Sequence, residues 1–367
     1  MSELTEEEST NQFVEEGSAS KFAKKAKVRK DQLPVVGISI GDVNGIGPEV
    51  TIKALSDKRM LGMMTPVVFA SAKVLSYYRK QCNLERFNFM TVKETDPFAY
   101  GKVNVVNCWD QPVPLEPGKV TPEGGQAAWL SLKKATEQLK VGAVDALVTA
   151  PINKHNIQNE EFTYAGHTEF LAKTFEVDDN LMLLVHDALR VGVVTGHIPL
   201  QQVSVQLTRE KVRRKLQLME QSLRQDFGIV KPRIAVMGLN PHAGEDGLLG
   251  TEEKDIIQPV ISELKQKGSL VFGPYPSDGF FGAFLHQKFD GIMAMYHDQG
   301  LIPFKTLAFE AGVNFTAGLS VVRTSPDHGT AYDIAGQDRA NPTSMREAIY
   351  LACDILKNRR LNVRDES

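Results

Sequence analysis

Three of the eight histidines, His197, His242 and His297, stand just after short apolar runs: Val193-Val194-Thr195-Gly196, Val236-Met237-Gly238-Leu239-Asn240-Pro241 and Met293-Ala294-Met295-Tyr296. Imidazole is the commonest protein ligand for zinc and similar ions, and three such ligands leave positions open for substrate. Nitrogen ligation favours zinc first, then cobalt or manganese, with oxygen-preferring magnesium last. Two further apolar runs end in Gly41-Asp42-Val43-Asn44-Gly45-Ile46-Gly47-Pro48-Glu49 and Ala150-Pro151-Ile152-Asn153-Lys154. One such run end is weak evidence, because strand ends need turn residues and a loop histidine can simply be hydrogen-bonded. Five together read as one convergent site, since open α/β sheets bind ligands beyond the carboxyl ends of their strands.

The elements that must position these residues alternate along the chain. Val35 to Ile40, Pro66 to Ala70, Asp145 to Ala150, Arg190 to Thr195, Ile234 to Met237 and Gly291 to Met295 are expected strands. Between them the pattern predicts helices over Gln126–Leu139, Glu169–Thr174, Thr251–Lys267 and Thr343–Lys357, with Pro48 opening another. Thr208 caps a helix whose apolar positions Val212, Leu216, Met219 and Leu223 share one face, and Gly228 ends it. Continuous apolar strands between amphipathic helices indicate α/β architecture with both sheet faces covered.

Composition sets the outer bounds. The chain has 367 residues, 42% hydrophobic and 24% charged, which excludes disordered and low-complexity classes and leaves room for about two domains. A net charge of −3 supplies no basic field for nucleic acid. Cys82, Cys108 and Cys353 are too few and too scattered for a disulfide framework or a thiolate zinc site, which fits a reducing cytoplasm. The most apolar stretch, Leu181 to Leu200, carries His186, Asp187, Arg190 and His197, so no membrane span is expected. Residues 1–32 are an acidic and then basic stretch, expected to be a flexible extension.

Neither G-x-G-x-x-G nor the P-loop signature occurs, which argues against a Rossmann dehydrogenase and a P-loop kinase. Backbone amides at Gly45-Ile46-Gly47 remain a candidate phosphate cradle. The polar run Arg323-Thr324-Ser325-Pro326-Asp327-His328-Gly329-Thr330-Ala331-Tyr332-Asp333-Ile334-Ala335-Gly336, continuing to Asn341-Pro342, is too long for a connector and reads as a functional loop.

Taken in order, several segments resemble the 4-hydroxythreonine-4-phosphate dehydrogenase family of pyridoxal phosphate biosynthesis. They are Gly45 to Glu49, Gly166-His167-Thr168-Glu169-Phe170, His197-Ile198-Pro199-Leu200, Gly238 to Glu245 and Gly250-Thr251-Glu252-Glu253. Tyr296 to Leu301, Gly312-Val313-Asn314 and Arg323 to Ala331 complete the set. The resemblance implies a two-domain isopropylmalate dehydrogenase-like α/β fold, with parallel or mixed sheets around a central cleft and no Rossmann fingerprint. Its expected boundaries are 33–155 plus 305–367 for one domain and 156–304 for the other.

The resemblance also implies one divalent ion on His197, His242 and His297, and substrate contacts from His167, Thr168, Lys305, Asn314 and Arg323. NAD would lie against His328, Gly329, Asp333 and Asn341, with Asp333 accepting from the ribose hydroxyls. Lys305 and Asp298 are the catalytic candidates; Asp278 or Asp298 could also meet a substrate amine or orient a ligand histidine, and no general base is assigned. Lys154 and Asn153 are expected at the cleft border. The implied reaction is NAD-dependent, metal-assisted oxidation and decarboxylation of 4-phosphooxy-threonine to 3-amino-2-oxopropyl phosphate, in a cytoplasmic homodimer whose active site lies near the subunit interface. The alternatives are a related dehydrogenase for another phosphorylated hydroxy acid, such as 4-phosphoerythronate, and a three-histidine zinc hydrolase or aldolase without NAD. Val43 and Asn44 depart from the family's expected Pro and Ala, so Asn44 could change how cofactor or phosphate is seated.

Overall fold

The first strand, β1 (Val35–Ser39), is buried along its whole length and so can lie only inside a sheet covered on both faces. After it come α1 (Gly47–Leu55), β2 (Thr65–Ala70), α2 (Ala72–Gln81), β3 (Phe89–Val92), β4 (Val103–Asn107), α3 (Pro122–Lys140) and β5 (Ala146–Thr149). The middle of the chain forms α4 (His167–Thr174), β6 (Leu181–His186), β7 (Leu189–Thr195), α5 (Val203–Gln206), α6 (Arg209–Gln225) and β8 (Arg233–Met237). Then follow α7 (Gln258–Gln266), β9 (Leu270–Tyr275), α8 (Ser277–Gly282), β10 (Gly291–Tyr296), α9 (His297–Ala308), β11 (Val313–Ala317), β12 (Val322–Pro326) and α10 (Thr343–Asp365). The computed structural model describes residues 33–365, so the extension expected over residues 1–32 lies outside the described residues.

The described residues build one twelve-stranded sheet in the order β3-β4-β2-β1-β5-β12-β11-β6-β7-β10-β8-β9. On one side β3, β4, β2, β1, β5 and β12 are parallel neighbours. On the other, β7, β10, β8 and β9 are parallel. Antiparallel pairs β12–β11, β11–β6 and β6–β7 join the two halves. This is a mixed α/β fold, as expected, and one sheet runs through both expected domains. The expected boundary near residue 305 falls within α9.

Local rules explain the elements that position the site. Thr208 accepts from the Lys211 amide at the start of α6, and Val212, Leu216, Met219 and Leu223 are buried beneath it. The stretch Leu181 to Thr195 is a hairpin, with Asp187 taking positive φ (48°) in the turn between β6 and β7. Strands β3, β4, β6, β9, β11 and β12 were not expected from the sequence. The helix predicted over Thr251–Lys267 instead begins with a wide turn, Glu253–Ile257, and becomes regular only at α7, where Pro259 occupies the first turn.

Two further expectations are corrected. Arg323 to Pro326, read as part of a polar loop, lie in a fully buried strand, Val322–Pro326. Its polar side chains find partners inside: the Thr324 hydroxyl donates to the Ala348 carbonyl, and Arg323 donates to two threonines. The Gly45-Ile46-Gly47 segment is not a free phosphate cradle. Its residues are buried, the Ile46 amide donates to the Thr330 carbonyl at 2.9 Å, and a side chain at Gly45 would stand 2.8 Å from that same oxygen.

Candidate active site

The ends of β5, β7, β10 and β12 and the start of α4 surround a cleft of about 910 Å³. His167, Thr168, His197, His297, Lys305, Asn314, Arg323, His328 and Gly329 line it together, with Lys154 and Glu169. Nine residues expected at substrate, metal or cofactor therefore come to one place.

Arg323 is the floor. It is 3% exposed and sits on β12 between β5 and β11. From these neighbours Thr149 accepts from Nε (3.1 Å) and Nη2 (2.7 Å), and Thr316 accepts from Nη1 (3.2 Å). One N–H on each Nη remains unused, and no described carboxylate is within ion-pair distance. Burial pushes its pKa down to about 10, while the field of Glu169 acts the other way. A buried guanidinium held only by hydroxyls has no described carboxylate within ion-pair distance, and an anion in the cleft would supply that counter-charge.

Around it, other polar atoms also lack partners within the described residues: His167 Nε2, Asn314 Oδ1 and His328 Nε2 are buried without a hydrogen bond. Burial, reinforced by Arg323 and Lys154, holds the His167 pKa well below 6.5, so the ring is neutral near pH 7. Burial likewise lowers His328 and, with help from Lys154 and His297, His197. Lys305 faces Asp327 at 3.6 Å, and burial raises the Asp327 pKa against that cation's pull.

The histidines expected to hold a metal are only partly assembled. The His197 and His297 rings lie 5.2 Å apart, and His297 Nδ1 is fixed by Asp298 Oδ1 at 2.7 Å, leaving Nε2 as the free ligand nitrogen. His242 does not join them within this chain. It lines a neighbouring cavity of about 700 Å³ with Asp278, Asp298, Phe281 and Ile302. His242, Ala243, Glu245 and Asp246 all adopt left-handed backbone (φ 51°, 51°, 42° and 53°), which costs energy and needs bracing. Glu253 supplies the brace: it is 5% exposed and accepts from the Leu239 and Asn240 amides and the Asn240 side chain. Asp298 thus supports His297 from the neighbouring cavity and does not line the cleft.

The cofactor residues divide similarly. His328 and Gly329 border the cleft, and Asp333 is exposed at the far part of the same loop. Asn341 is spent on structure: its Oδ1 accepts from the Thr343 amide and hydroxyl at the start of α10. Asn44 is fully buried and holds the 116–121 segment through Glu116 N and Thr121 Oγ1, so it meets no ligand directly. Sequence reasoning missed Thr149, Thr316 and Asp327. Thr149 ends a recognised strand and was the most accessible of them; Thr316 lies in a strand that was not anticipated.

A mixed α/β sheet whose strand ends enclose paired imidazoles and an unneutralised buried guanidinium defines an enzyme for a small anionic substrate. Relatives narrow the class. Residues 62–352 match the family described as pyridoxal phosphate biosynthetic protein PdxA. A 4-hydroxythreonine-4-phosphate dehydrogenase of Bacteroides thetaiotaomicron is 49% identical over 326 residues, covering 89% of each chain. A D-threonate 4-phosphate dehydrogenase of Pectobacterium atrosepticum is 39% identical, covering 88% of this chain and 99% of its own. The crystal structure of a 4-hydroxythreonine-4-phosphate dehydrogenase from Klebsiella pneumoniae superposes with a TM-score of 0.74 at 37% identity, over 89% of this chain and 99% of that one. The chain belongs to the PdxA family, and it is a dehydrogenase. Among the described residues no helix is long and apolar enough to cross a membrane.

Proposed function

We propose that this enzyme oxidises 4-hydroxythreonine 4-phosphate with NAD and decarboxylates the product to 3-amino-2-oxopropyl phosphate, within pyridoxal phosphate biosynthesis. The observation that carries the reading is Arg323, a buried cation with two unused N–H groups and hydroxyl partners only. A phosphate or carboxylate accepts both N–H groups as a fork, and Lys305 adds a second charge at the cleft wall. Neutral His167 and Asn314 meet the substrate's uncharged polar groups through their unpartnered atoms.

A divalent ion fits the two imidazoles of His197 and His297, the latter oriented by Asp298. When bound, the ion would supply Lewis acidity at the substrate hydroxyl and at the charge developing on decarboxylation, and NAD would supply the hydride acceptor. His328, Gly329 and Asp333 would hold NAD. His242 lies beside exposed Phe284, Ile302 and Leu307, an apolar face that we assign to a second copy of the chain in a homodimer. His242 would then serve a site near that interface. We propose two lobes, 33–155 plus 305–367 and 156–304, with the cleft between them.

The test is formation of NADH from 4-hydroxythreonine 4-phosphate, NAD and zinc, cobalt or manganese, against a chelated control. No NADH with any of these ions refutes the reading. The 39% identity to a D-threonate 4-phosphate dehydrogenase favours one second reading, in which the substrate carries a hydroxyl in place of the amine. NADH from the threonate and none from the threonine derivative would select it.

A further inference from the structure

The loop from His328 to Asn341 is fastened at both ends to the glycine motif Gly45 to Glu49 and the helix it opens. At the near end, Ile46 N donates to Thr330 O at 2.9 Å, with Gly45 close-packed on the same residue. At the far end, Glu49 is fully buried, and its Oε1 accepts from Ala340 N at 2.8 Å and Lys53 Nζ at 2.8 Å. Lys53 Nζ reaches on to Asp338 Oδ1 (2.8 Å) and Ala340 O (3.1 Å). Gln81 Nε2 adds a bond to Gly336 O at 2.7 Å.

We infer that Glu49 and Lys53 form an ionic clamp that positions the nucleotide-binding loop, so that they set affinity for NAD without touching it. The inference rests on the proposed role of His328, Gly329 and Asp333 as the NAD site. Its physical basis is the placement of the charges. A carboxylate buried in α1 is costly unless paired, and here its partners are the loop's own amide and a lysine that also grips the loop. Ala335 and Ala340 of the loop are buried, and the Tyr332 hydroxyl donates to Asp42 Oδ2 at 2.8 Å. Gln337 to Arg339 are exposed, so the clamp is the charged anchor that fixes the far end of the loop and adds to its preorganisation. The motif that looked like a phosphate cradle thus acts one step back from the ligand.

Glu49→Gln and Lys53→Met remove one charge each. The double variant Glu49→Gln/Lys53→Met removes both, leaves no unpaired buried ion and keeps the fold available for measurement. NAD affinity is read by titration calorimetry, and KM and kcat are read from NADH formation. The expected result is a rise of about ten-fold in the Kd and KM for NAD, with kcat and the substrate KM within about two-fold. Lys53→Arg, which can still bridge Glu49 and Asp338, should stay near the wild type. Unchanged NAD affinity in a folded double variant overturns the clamp while leaving the proposed function standing. Equal losses in NAD affinity, substrate KM and kcat would also overturn it, because they indicate general destabilisation. A wild-type protein that does not bind NAD overturns both.

Discussion

Replacing Arg323 with methionine separates binding from stability. In the folded chain one N–H on each Nη has no partner, so an anionic substrate gains two charge-assisted hydrogen bonds. At about 1.5–3 kcal/mol each, their loss removes roughly 3–6 kcal/mol of transition-state binding, or about two to four orders of magnitude in kcat/KM. Stability should behave differently. At about 1.4 kcal/mol per pKa unit, the fall from 12.5 to about 10 puts the cost of burying this cation near 3 kcal/mol. Methionine relieves that cost but leaves Thr149 and Thr316 without their donor, a loss of about 1–3 kcal/mol. The two nearly cancel, so the melting temperature of the ligand-free variant should stay within a few degrees of the wild type. The sign follows from linkage. A cation whose folded pKa is depressed costs stability at all pH values below about 10 and ceases to do so as pH rises toward 12.5. Steady-state NADH formation and thermal melts with and without inorganic phosphate read both quantities. Phosphate should stabilise the wild type and not the variant. A kcat/KM loss below ten-fold, or a collapse in melting temperature matching the loss of activity, would refute the assignment.

Three other outcomes follow from the same geometry. Burial lowers the pKa of His167, His197, His286 and His328, so the unfolded chain takes up protons first as pH falls through 6.5; stability should be full above that pH and decline below it. Urea midpoints at pH 7.5 and 5.5 measure the decline, and His167→Gln should shrink it; an unchanged midpoint would show these rings are not kept neutral by the fold. Asn44→Ala should lower stability by about 2 kcal/mol through the bonds to Thr121 and Glu116 while leaving kcat intact, so a kcat change at wild-type stability would show contact with the reacting groups. Asp298→Asn weakens the partner of His297 Nδ1 and should reduce metal affinity about ten-fold or more, read by zinc titration against a competing chelator.

Much of the sheet was legible because its strands are buried on both faces and read as unbroken apolar runs bounded by Gly, Asn and Pro. β12 was not, because Arg323, Thr324 and Ser325 look like loop in composition and are internal only through partners on β5, β11 and α10. The functional cluster could be read where chemistry follows a strand end, as with His197, His297 and Lys154. It could not be read where a role depends on a distant partner. Glu49 is an ordinary first-turn acid in sequence, and only the return of the chain at Ala340 gives it a second bond.

The strand-end rule also explains why two of the three strand-end histidines meet and the third does not. β7 and β10 are hydrogen-bonded neighbours, and parallel strands lie about 4.8 Å apart. His197 is two residues beyond Thr195 and His297 is one beyond Tyr296, so their 5.2 Å ring separation is close to the strand spacing itself. β8 is the next strand outward, which places the start of its loop about two spacings from β7. An ordinary turn could return His242 across that gap. The left-handed run from His242 to Asp246, fixed by Glu253, takes the ring into the neighbouring cavity instead. Residue type and strand order thus locate the cleft, while the handedness of one braced turn decides how many imidazoles a single chain can offer to one ion.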